Sequence, residues 1–313
     1  MRLIGLIPTG TKIDFMRWRR IAGMASAALV TLSVVLFLGV GLNYGIDFRG
    51  GILVEIRTEG PADIGQLRSE LSNLNLGEVE LQEFGEPTDV LIRIERQTGA
   101  EREQLKAVEV VKEALGPGVD YRRVEFVGPK VGAELIEAGI TAVLLALAAM
   151  LVYIWFRFEW QFGVGAVIAL MHDVILTIGV FSVLGLEFNL STVAAVLTIA
   201  GYSINDTVVI YDRVRENLRK YKTLPLEDLL NLSVNDTLSR TILTSVTTLL
   251  ALLCLFFFGG QVIKGFSFAM IWGVIVGTYS SIWVAVPLLV YMKLKRGGLI
   301  VGEVDDDRPA AGG

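Results

Sequence analysis

Six long apolar runs constrain the fold of this chain more than any other feature. Each run has about 18 or more residues, the length that an α-helix needs to cross the hydrocarbon of a bilayer. Of the 313 residues, 53% are hydrophobic, more than the roughly 45–50% of soluble domains. The sequence therefore predicts an α-helical polytopic membrane protein with six transmembrane helices. The predicted spans are Ile21–Gly41, Leu135–Phe156, Phe162–Leu184, Leu190–Tyr211, Ile242–Gly259 and Phe266–Met292.

The distribution of Lys and Arg predicts the orientation of these helices. Basic residues are concentrated in the N-terminal tail (1–20), in a predicted loop at 212–240 and in the C-terminal tail (293–313), whereas the short connection at 185–189 has none. Positively charged loops remain on the cytoplasmic side. Both termini are therefore predicted to be cytoplasmic, with the first span, 21–41, retained as an anchor because no small-residue cleavage site follows it.

The segment 42–133, between the first two spans, has the pattern of a soluble domain on the outer side of the membrane. Alternating apolar and polar residues at ILVEIRT, VELQEF, DVLIRIER and DYRRVEFVG predict four strands. Helical spacing in PADIGQLRSELSNL and AEREQLKAVEVVKEAL predicts two helices. The order β-α-β-β-α-β predicts a ferredoxin-like α+β periplasmic domain, followed by the second to sixth spans within 134–292.

The domain carries no residues that indicate catalysis. It contains no His and no Cys, and no nucleophile stands near a base. The domain is acidic on balance, so nothing in it predicts nucleic-acid binding. It has no cluster of metal ligands, and no metal or cofactor is predicted. The single cysteine of the chain, Cys254, excludes an intrachain disulfide. We therefore expect a binding or force-transmitting module, and no enzyme activity.

An acidic residue, Asp206, lies inside the fourth predicted span. An ionised Asp in the bilayer costs about 2.5–3.5 kcal/mol on insertion scales, so such residues normally face a partner or a wet cavity. Arg240, at the start of the fifth span, is the candidate partner. The pair predicts either a proton-responsive switch or a static ion pair that joins two helices. The threonines of the fifth span either pack against a neighbour or line a path for water.

Two further sets of residues predict contacts between helices. His172 and Asp173, in the third span, form either a proton relay or a structural hydrogen bond. Small residues recur at every fourth position of the sixth span, and Gly201 lies in the fourth, where small side chains allow close approach. The residues of the sixth span are Gly265, Ala269, Gly273, Gly277 and Ser281.

Four motifs together resemble the SecD/SecF family of the bacterial Sec export system, a branch of the resistance-nodulation-division superfamily. They are TKIDFMRWRR (11–20), DFRGG (47–51, with Asp47, Phe48, Gly50 and Gly51), HD (172–173) and GYSINDTVVIYDRVREN (201–217). The resemblance covers nearly the whole chain. It implies one six-helix half of a twelve-helix unit in the bacterial inner membrane, the other half being SecD.

The resemblance also implies roles for individual residues. Asp206 corresponds to the proton-transporting Asp of the family, and Arg240 to an essential Arg at the start of the next span. Asn205 stands where SecD carries its own Asp. The glycines at 50 and 51 allow a sharp change of path between membrane helix and strand, and Asp47 is expected to cap or hydrogen-bond that junction.

The implied function is proton-driven assistance to late steps of preprotein export. The implied partners are SecD, the SecYEG channel and preprotein clients, with YajC and YidC as further candidates. Two alternatives remain open. One is half of a small-molecule exporter of the same superfamily, which normally has two large exported regions in one longer chain. The other is a scaffold that holds translocase subunits without transporting protons.

Overall fold

The computed structural model describes residues 11–77, 79–97, 101–127, 129–260, 263–292 and 294. Residues 1–10 and nearly all of the predicted cytoplasmic tail 293–313 lie outside them. Six of the described helices are long and apolar enough to cross a membrane, which confirms the predicted number. They are α1 (Arg19–Gly39), α5 (Pro129–Arg157), α6 (Trp160–Leu184), α7 (Leu190–Lys220), α8 (Leu226–Phe258) and a last helix in three parts, α9 (Lys264–Ser280), a π-helical segment (Ser281–Ala285) and α10 (Val286–Tyr291).

The segment 212–240 is mostly helical, although the sequence analysis assigned it to a loop. Helix α7 continues past its apolar run to Lys220, and α8 begins at Leu226. The connection between them is therefore five residues, 221–225. The difference arises because a hydropathy pattern detects the part of a helix that matches the bilayer, whereas charged residues extend the same helix beyond it.

After the short helix α2 (Ile46–Arg49), the described part of the domain between α1 and α5 contains a four-stranded antiparallel sheet and two longer α-helices. Along the chain these elements alternate in the order strand, helix, strand, strand, helix, strand. They are β2 (Gly51–Thr58), α3 (Ile64–Ser72), β3 (Val79–Phe84), β4 (Glu86–Ile94), α4 (Glu101–Leu115) and β5 (Val119–Val127). The strand order across the sheet is β3-β4-β2-β5, with β2 paired to both β4 and β5.

The two faces of the sheet bury different residues because side chains alternate along a strand. Ile52, Val54 and Ile56 of β2 pack with residues of α3 and α4 in the core of the domain. Leu53 points to the opposite face and packs with Leu91 of β4. That second face borders a cavity of about 300 Å³, whose other walls come from the ends of α6, α8 and α9. The sheet therefore lies over one end of the helical bundle, called the domain end below.

A short clamp holds the domain against the helices. Strand β1 (Asn43–Tyr44) pairs in parallel with β6 (Glu187–Phe188), which joins α6 to α7. Arg93 of β4 donates from Nη1 to Asn43 Oδ1 at 2.9 Å, and its Nη2 lies 2.8 Å from Glu187 Oε2. One guanidinium thus bridges the sheet to both strands of the clamp.

Helices α6, α7 and α9 form the centre of the bundle. Buried residues of α7 and α9, among them Ile199 and Val274, share one apolar core. Helix α1 packs mainly on α6. Helix α5 has no buried residue in its most apolar stretch, so its sides lie open to lipid or to another protein.

Candidate functional site

Asp206 lies on the inward face of α7. The buried residues Ile199, Ser203, Asp206 and Ile210 follow one another at spacings of three and four, so they share one side of the helix. The side chain of Asp206 is only 3% exposed. Its Oδ2 atom has no hydrogen-bond partner among the residues that the structure describes. A polar atom buried in this way normally has a hydrogen-bond partner. The unpaired Oδ2 therefore indicates that Asp206 is a candidate functional residue.

Arg240 is the cation whose charge acts on Asp206. Its residue is exposed on α8, which runs antiparallel to α7 and packs against it. The structure does not join the two in an ion pair: within the described part of the chain, neither side chain has a salt bridge of 4.0 Å or less. Asp206 is therefore near a positive charge but not neutralised by direct contact.

The threonines of α8 divide into two groups. Thr237 and Thr244 donate to carbonyl oxygens of their own helix, at 3.1 Å to Ser233 O and 3.1 Å to Arg240 O. Thr241 is 1% exposed, and its Oγ1 has no partner among the described residues. The packed helices α7 and α8 thus each carry a buried polar atom that is free to bind water or a proton donor.

His172 and Asp173 form the centre of a buried network of hydrogen bonds. His172 Nδ1 lies 2.9 Å from Asp173 Oδ1. Asp173 Oδ2 accepts from Ser203 Oγ of α7 at 2.5 Å and from Ser280 Oγ of α9 at 2.8 Å. His172 Nε2 is left without a partner in the described residues. One carboxylate therefore links the three central helices.

Sequence reasoning did not identify Ser280 or Thr207 as part of this polar interior. Thr207 Oγ1 lies 2.8 Å from Ser281 Oγ, and Ser281 also donates to Ser203 O at 3.3 Å. Serine and threonine in an apolar span usually bond to their own helix. No sequence pattern therefore distinguishes these hydroxyls from those of other serines and threonines in the spans. Their burial depends on the crossing of α7 and α9.

The row of small residues in the last helix is in close contact with α7 over part of its length. A Cβ atom added at Gly273 would collide with the side chain of Ile199, and one at Gly277 would lie 3.0 Å from Ser203 Cβ. Ala269 is fully buried. Ser281 joins the polar contacts described above.

Two of the predicted packing glycines are not in close contact with another helix in the part of the chain that the structure describes. Among those residues, and apart from the glycine's own helix backbone and chain neighbours, no atom lies within 4 Å of a Cβ built at Gly201 or at Gly265. Gly201 is exposed, and so are Thr198 and Asn205 on the same side of α7. Asn205 and Asp206 are adjacent in sequence but point in different directions, Asn205 outward and Asp206 into the bundle.

The DFRGG segment links the domain to the beginning of α7. Asp47 Oδ2 accepts a hydrogen bond from the backbone N–H of Leu190 at 2.9 Å. The ring of Phe48 stacks on Phe188, with the ring centroids 6.0 Å apart. Gly50 and Gly51 have φ of 73° and 120°, in a region that favours glycine. At Gly51 a Cβ would lie 2.7 Å from Ile94 O, so a side chain would push β2 away from β4.

Comparisons with known protein families decide the identity of the chain. Residues 107–295 match the family described as protein export membrane protein SecD/SecF, C-terminal, and residues 35–62 match the SecD/SecF GG motif. The chain is 48% identical to "Protein translocase subunit SecF" of Rickettsia bellii, with 93% of this chain and 97% of that protein covered. The chain belongs to the SecF family.

Other SecF relatives have the same level of similarity. The SecF of Rhodobacter capsulatus is 48% identical over 93% of this chain and 92% of that protein. Among solved structures, SecDF from Thermus thermophilus, described as a translocon-associated membrane protein, aligns with a TM-score of 0.84 and 37% identity. A SecDF structure in a super-membrane-facing form aligns with a TM-score of 0.69 and 36% identity. These alignments cover 93% and 94% of this chain but only 40% of each SecDF chain.

Proposed function

We propose that this chain is the SecF subunit of a SecD-SecF complex that uses the proton motive force to promote late steps of preprotein export. The observation that carries the proposal is the buried carboxyl group of Asp206, whose Oδ2 has no partner among the described residues, beside the charge of Arg240. Homologues named as translocase subunits support the Sec role. No chemical reaction is assigned to the chain, so it is proposed to act as a non-enzymatic membrane subunit.

The position of Asp206 is suited to alternate between two protonation states. A neutral carboxyl group tolerates the apolar interior, whereas the ionised form costs about 2.5–3.5 kcal/mol unless a partner compensates it. Movement of Arg240 toward Asp206 would supply that compensation. A proton taken up from one side and released to the other therefore changes which arrangement of α7 and α8 is favoured. A membrane potential contributes about 2.3 kcal/mol per charge per 100 mV to such a cycle.

The same helix connects the proton site to the soluble domain. Asp206 lies 16 positions after Leu190, about 24 Å along α7, and Leu190 is bonded to Asp47 of the DFRGG segment. A shift of α7 would therefore move the clamp and the sheet above it. The two SecDF structures match this chain at nearly equal identity but with different TM-scores, which is consistent with a conformational change in the family.

We propose SecD as the partner for the open faces of the bundle. Thr198, Gly201 and Asn205 form an exposed side of α7, and the most apolar stretch of α5 has no buried residue. The chain covers less than half of each SecDF chain, which leaves room for a second six-helix half. The SecYEG channel, preproteins, YajC and YidC are proposed as further partners on the basis of the family.

We further propose a ferredoxin-like fold and a periplasmic location for the domain, in a protein of the bacterial inner membrane with both termini in the cytoplasm. The alternating order of strands and helices and the sheet order β3-β4-β2-β5 support the ferredoxin-like assignment. Basic residues at the end of α1 and α7 remote from the domain support the orientation.

The test is an Asp206→Asn variant, with Asp212→Asn as the matched control. Asp212 lies on the same helix but is exposed and paired with Arg157 at 2.6 Å. After co-purification with SecD, each variant is reconstituted in liposomes, and proton entry is followed with a pH-sensitive dye. We expect Asp206→Asn to reduce flux to the level of protein-free liposomes and to slow preprotein export in cells, whereas Asp212→Asn changes neither.

Other outcomes separate the alternatives. Unchanged flux and unchanged export in Asp206→Asn would leave a scaffold as the function. Drug-sensitive growth of a deletion strain without a secretion defect would favour a small-molecule exporter. The proposed SecD face is tested separately. Gly201→Leu should reduce co-purification of SecD. Gly139 is an equally open glycine on α5, so Gly139→Leu tests whether α5 belongs to the same contact.

A further inference from the structure

A groove of about 780 Å³ lies between α1, α6 and α10, toward the end of the bundle that is remote from the domain. Its walls are almost entirely apolar. Met24 and Ala27 of α1 form one side, Met171 and Ile175 of α6 form the floor, and Leu288 closes the other side. His172 also borders the groove, with the unpartnered Nε2 described above. A volume of this size is in the range of small-molecule sites, about 300–1,000 Å³.

The mouth of the groove is positively charged. Arg19 and Arg20, at the beginning of α1, both line it. Arg19 is paired with Glu227 at 2.7 Å, but its Nε atom is buried without a partner among the described residues. Arg20 is exposed, and its side chain has no ion pair or hydrogen bond within the described part of the chain. The groove thus offers one uncompensated guanidinium, that of Arg20, at one end and hydrocarbon along its length.

Aromatic residues indicate that the mouth lies at the membrane surface. Tyr291 lines the groove and is 58% exposed, and Trp18, one residue before α1, is 53% exposed. Tyrosine and tryptophan are enriched at the boundary between hydrocarbon and headgroups. Arg20 is therefore at headgroup level, and the apolar part of the groove extends from it into the hydrocarbon.

We propose that this groove binds one anionic glycerophospholipid. The phosphate contacts the exposed guanidinium of Arg20, and an acyl chain lies along Met24, Ala27 and Ile175. Guanidinium and phosphate form strong, charge-assisted hydrogen bonds. The proposal is independent of proton transport.

The experiment measures lipid retention by native mass spectrometry. The full chain, alone and with its co-purified SecD, is exchanged into detergent with equal amounts of phosphatidylglycerol and phosphatidylcholine. We expect one phosphatidylglycerol per chain in both samples. Arg20→Gln should weaken its retention about fivefold, the effect of one basic residue at an anionic surface. Gly23→Leu, which fills the groove from an open position on α1, should abolish retention of both lipids.

Matched controls distinguish the site from general effects. Arg17→Gln removes a nearby basic residue that does not line the groove, and Gly139→Leu adds the same side chain at an open position on α5. Both should retain lipid as the unaltered chain does, and thermal unfolding of each variant establishes that it is folded. Equal retention of the two lipids, or unchanged retention in folded Gly23→Leu, overturns the proposal. Loss of the lipid when SecD is present also overturns it, because the groove is then covered by protein.

Discussion

Asp47 and Leu190 are 143 residues apart in sequence, yet the carboxylate of Asp47 accepts a hydrogen bond from the backbone N–H of Leu190 at 2.9 Å. Leu190 is the first residue of α7, whose first N–H groups have no partner within the helix. Asn189 caps the same turn by accepting from Thr192 N at 3.1 Å. The beginning of the helix that carries Asp206 is thus held partly by its own sequence and partly by the DFRGG segment.

Replacement of Asp47 by Ala should loosen the first turn of α7. Loss of a helix cap typically costs about 1 kcal/mol, so amide hydrogens of 190–193 should exchange several-fold faster in hydrogen-exchange mass spectrometry. Asp63→Ala is the matched control, because Asp63 caps α3 within the domain, accepting from Gln66 N at 3.0 Å. Equal acceleration at 190–193 in both variants would contradict the proposed link.

Asp173→Ala should destabilise the bundle more than any single change in its partners. The substitution removes the acceptor of two buried hydroxyls and leaves His172 unpaired, so we expect a loss of about 3–5 kcal/mol in the free energy of unfolding. Ser203→Ala and Ser280→Ala each remove one bond and should cost about 0.6–1.7 kcal/mol. Reversible unfolding in mixed micelles gives the three values. If Asp173→Ala lowers the free energy of unfolding by no more than a single serine variant does, these residues do not form one cooperative network.

Gly273→Ala and Gly201→Ala should change stability in opposite directions. A methyl group at 273 collides with Ile199, and overpacking of this kind costs about 1–3 kcal/mol. At 201 the space is open, and the exchange of Gly for Ala in a helix gains up to about 1 kcal/mol. Unfolding of the chain without SecD measures both. The double variant Gly273→Ala with Ile199→Ala should be destabilised by less than the sum of the two single changes, because the second removes the side chain with which the first collides.

The ion pair of Arg57 and Asp89 should make the domain sensitive to acid. Arg57 donates from Nε and Nη2 to the two carboxylate oxygens at 2.5 and 2.6 Å, and this lowers the pKa of Asp89. Because the folded-state pKa is lowered, the stabilisation is present above the unfolded pKa of about 4 and is lost as the pH falls through the folded value. Asp89→Asn should remove this dependence, read from hydrogen exchange at 51–58. Asp120→Asn, in an exposed pair, should preserve it.

Glu55 should have the opposite dependence on pH. Its side chain is buried in β2, and burial raises its pKa, with Arg123 acting against the shift. A raised folded-state pKa means that the contribution to stability is present at low pH and is lost as the pH rises through that value. Glu55→Gln should therefore protect the amides of 51–58 at neutral pH and have little effect in acid. A loss of protection at neutral pH would show that the charge is compensated.

The elements of this fold could be read from local patterns, because each depends on nearby residues. Apolar runs determine the six helices, and alternation determines strands such as Gly51–Thr58. The four motifs indicate the SecD/SecF family from the sequence alone. The ends of α7 and α8 could not be predicted in this way, since their charged turns extend past the apolar runs.

The arrangement around the candidate site was decided by tertiary structure. The sequence predicted a pairing of Asp206 with Arg240, but it did not determine that they stay apart or that Asp206 Oδ2 has no partner among the described residues. The serines on Asp173 and the bond from Leu190 to Asp47 come from different helices and loops, at separations from 30 to 143 residues. Such contacts depend on how the helices cross. A sequence determines which segments become helices through local hydrogen bonds and hydropathy, whereas the partners of a buried polar atom are set by packing between segments.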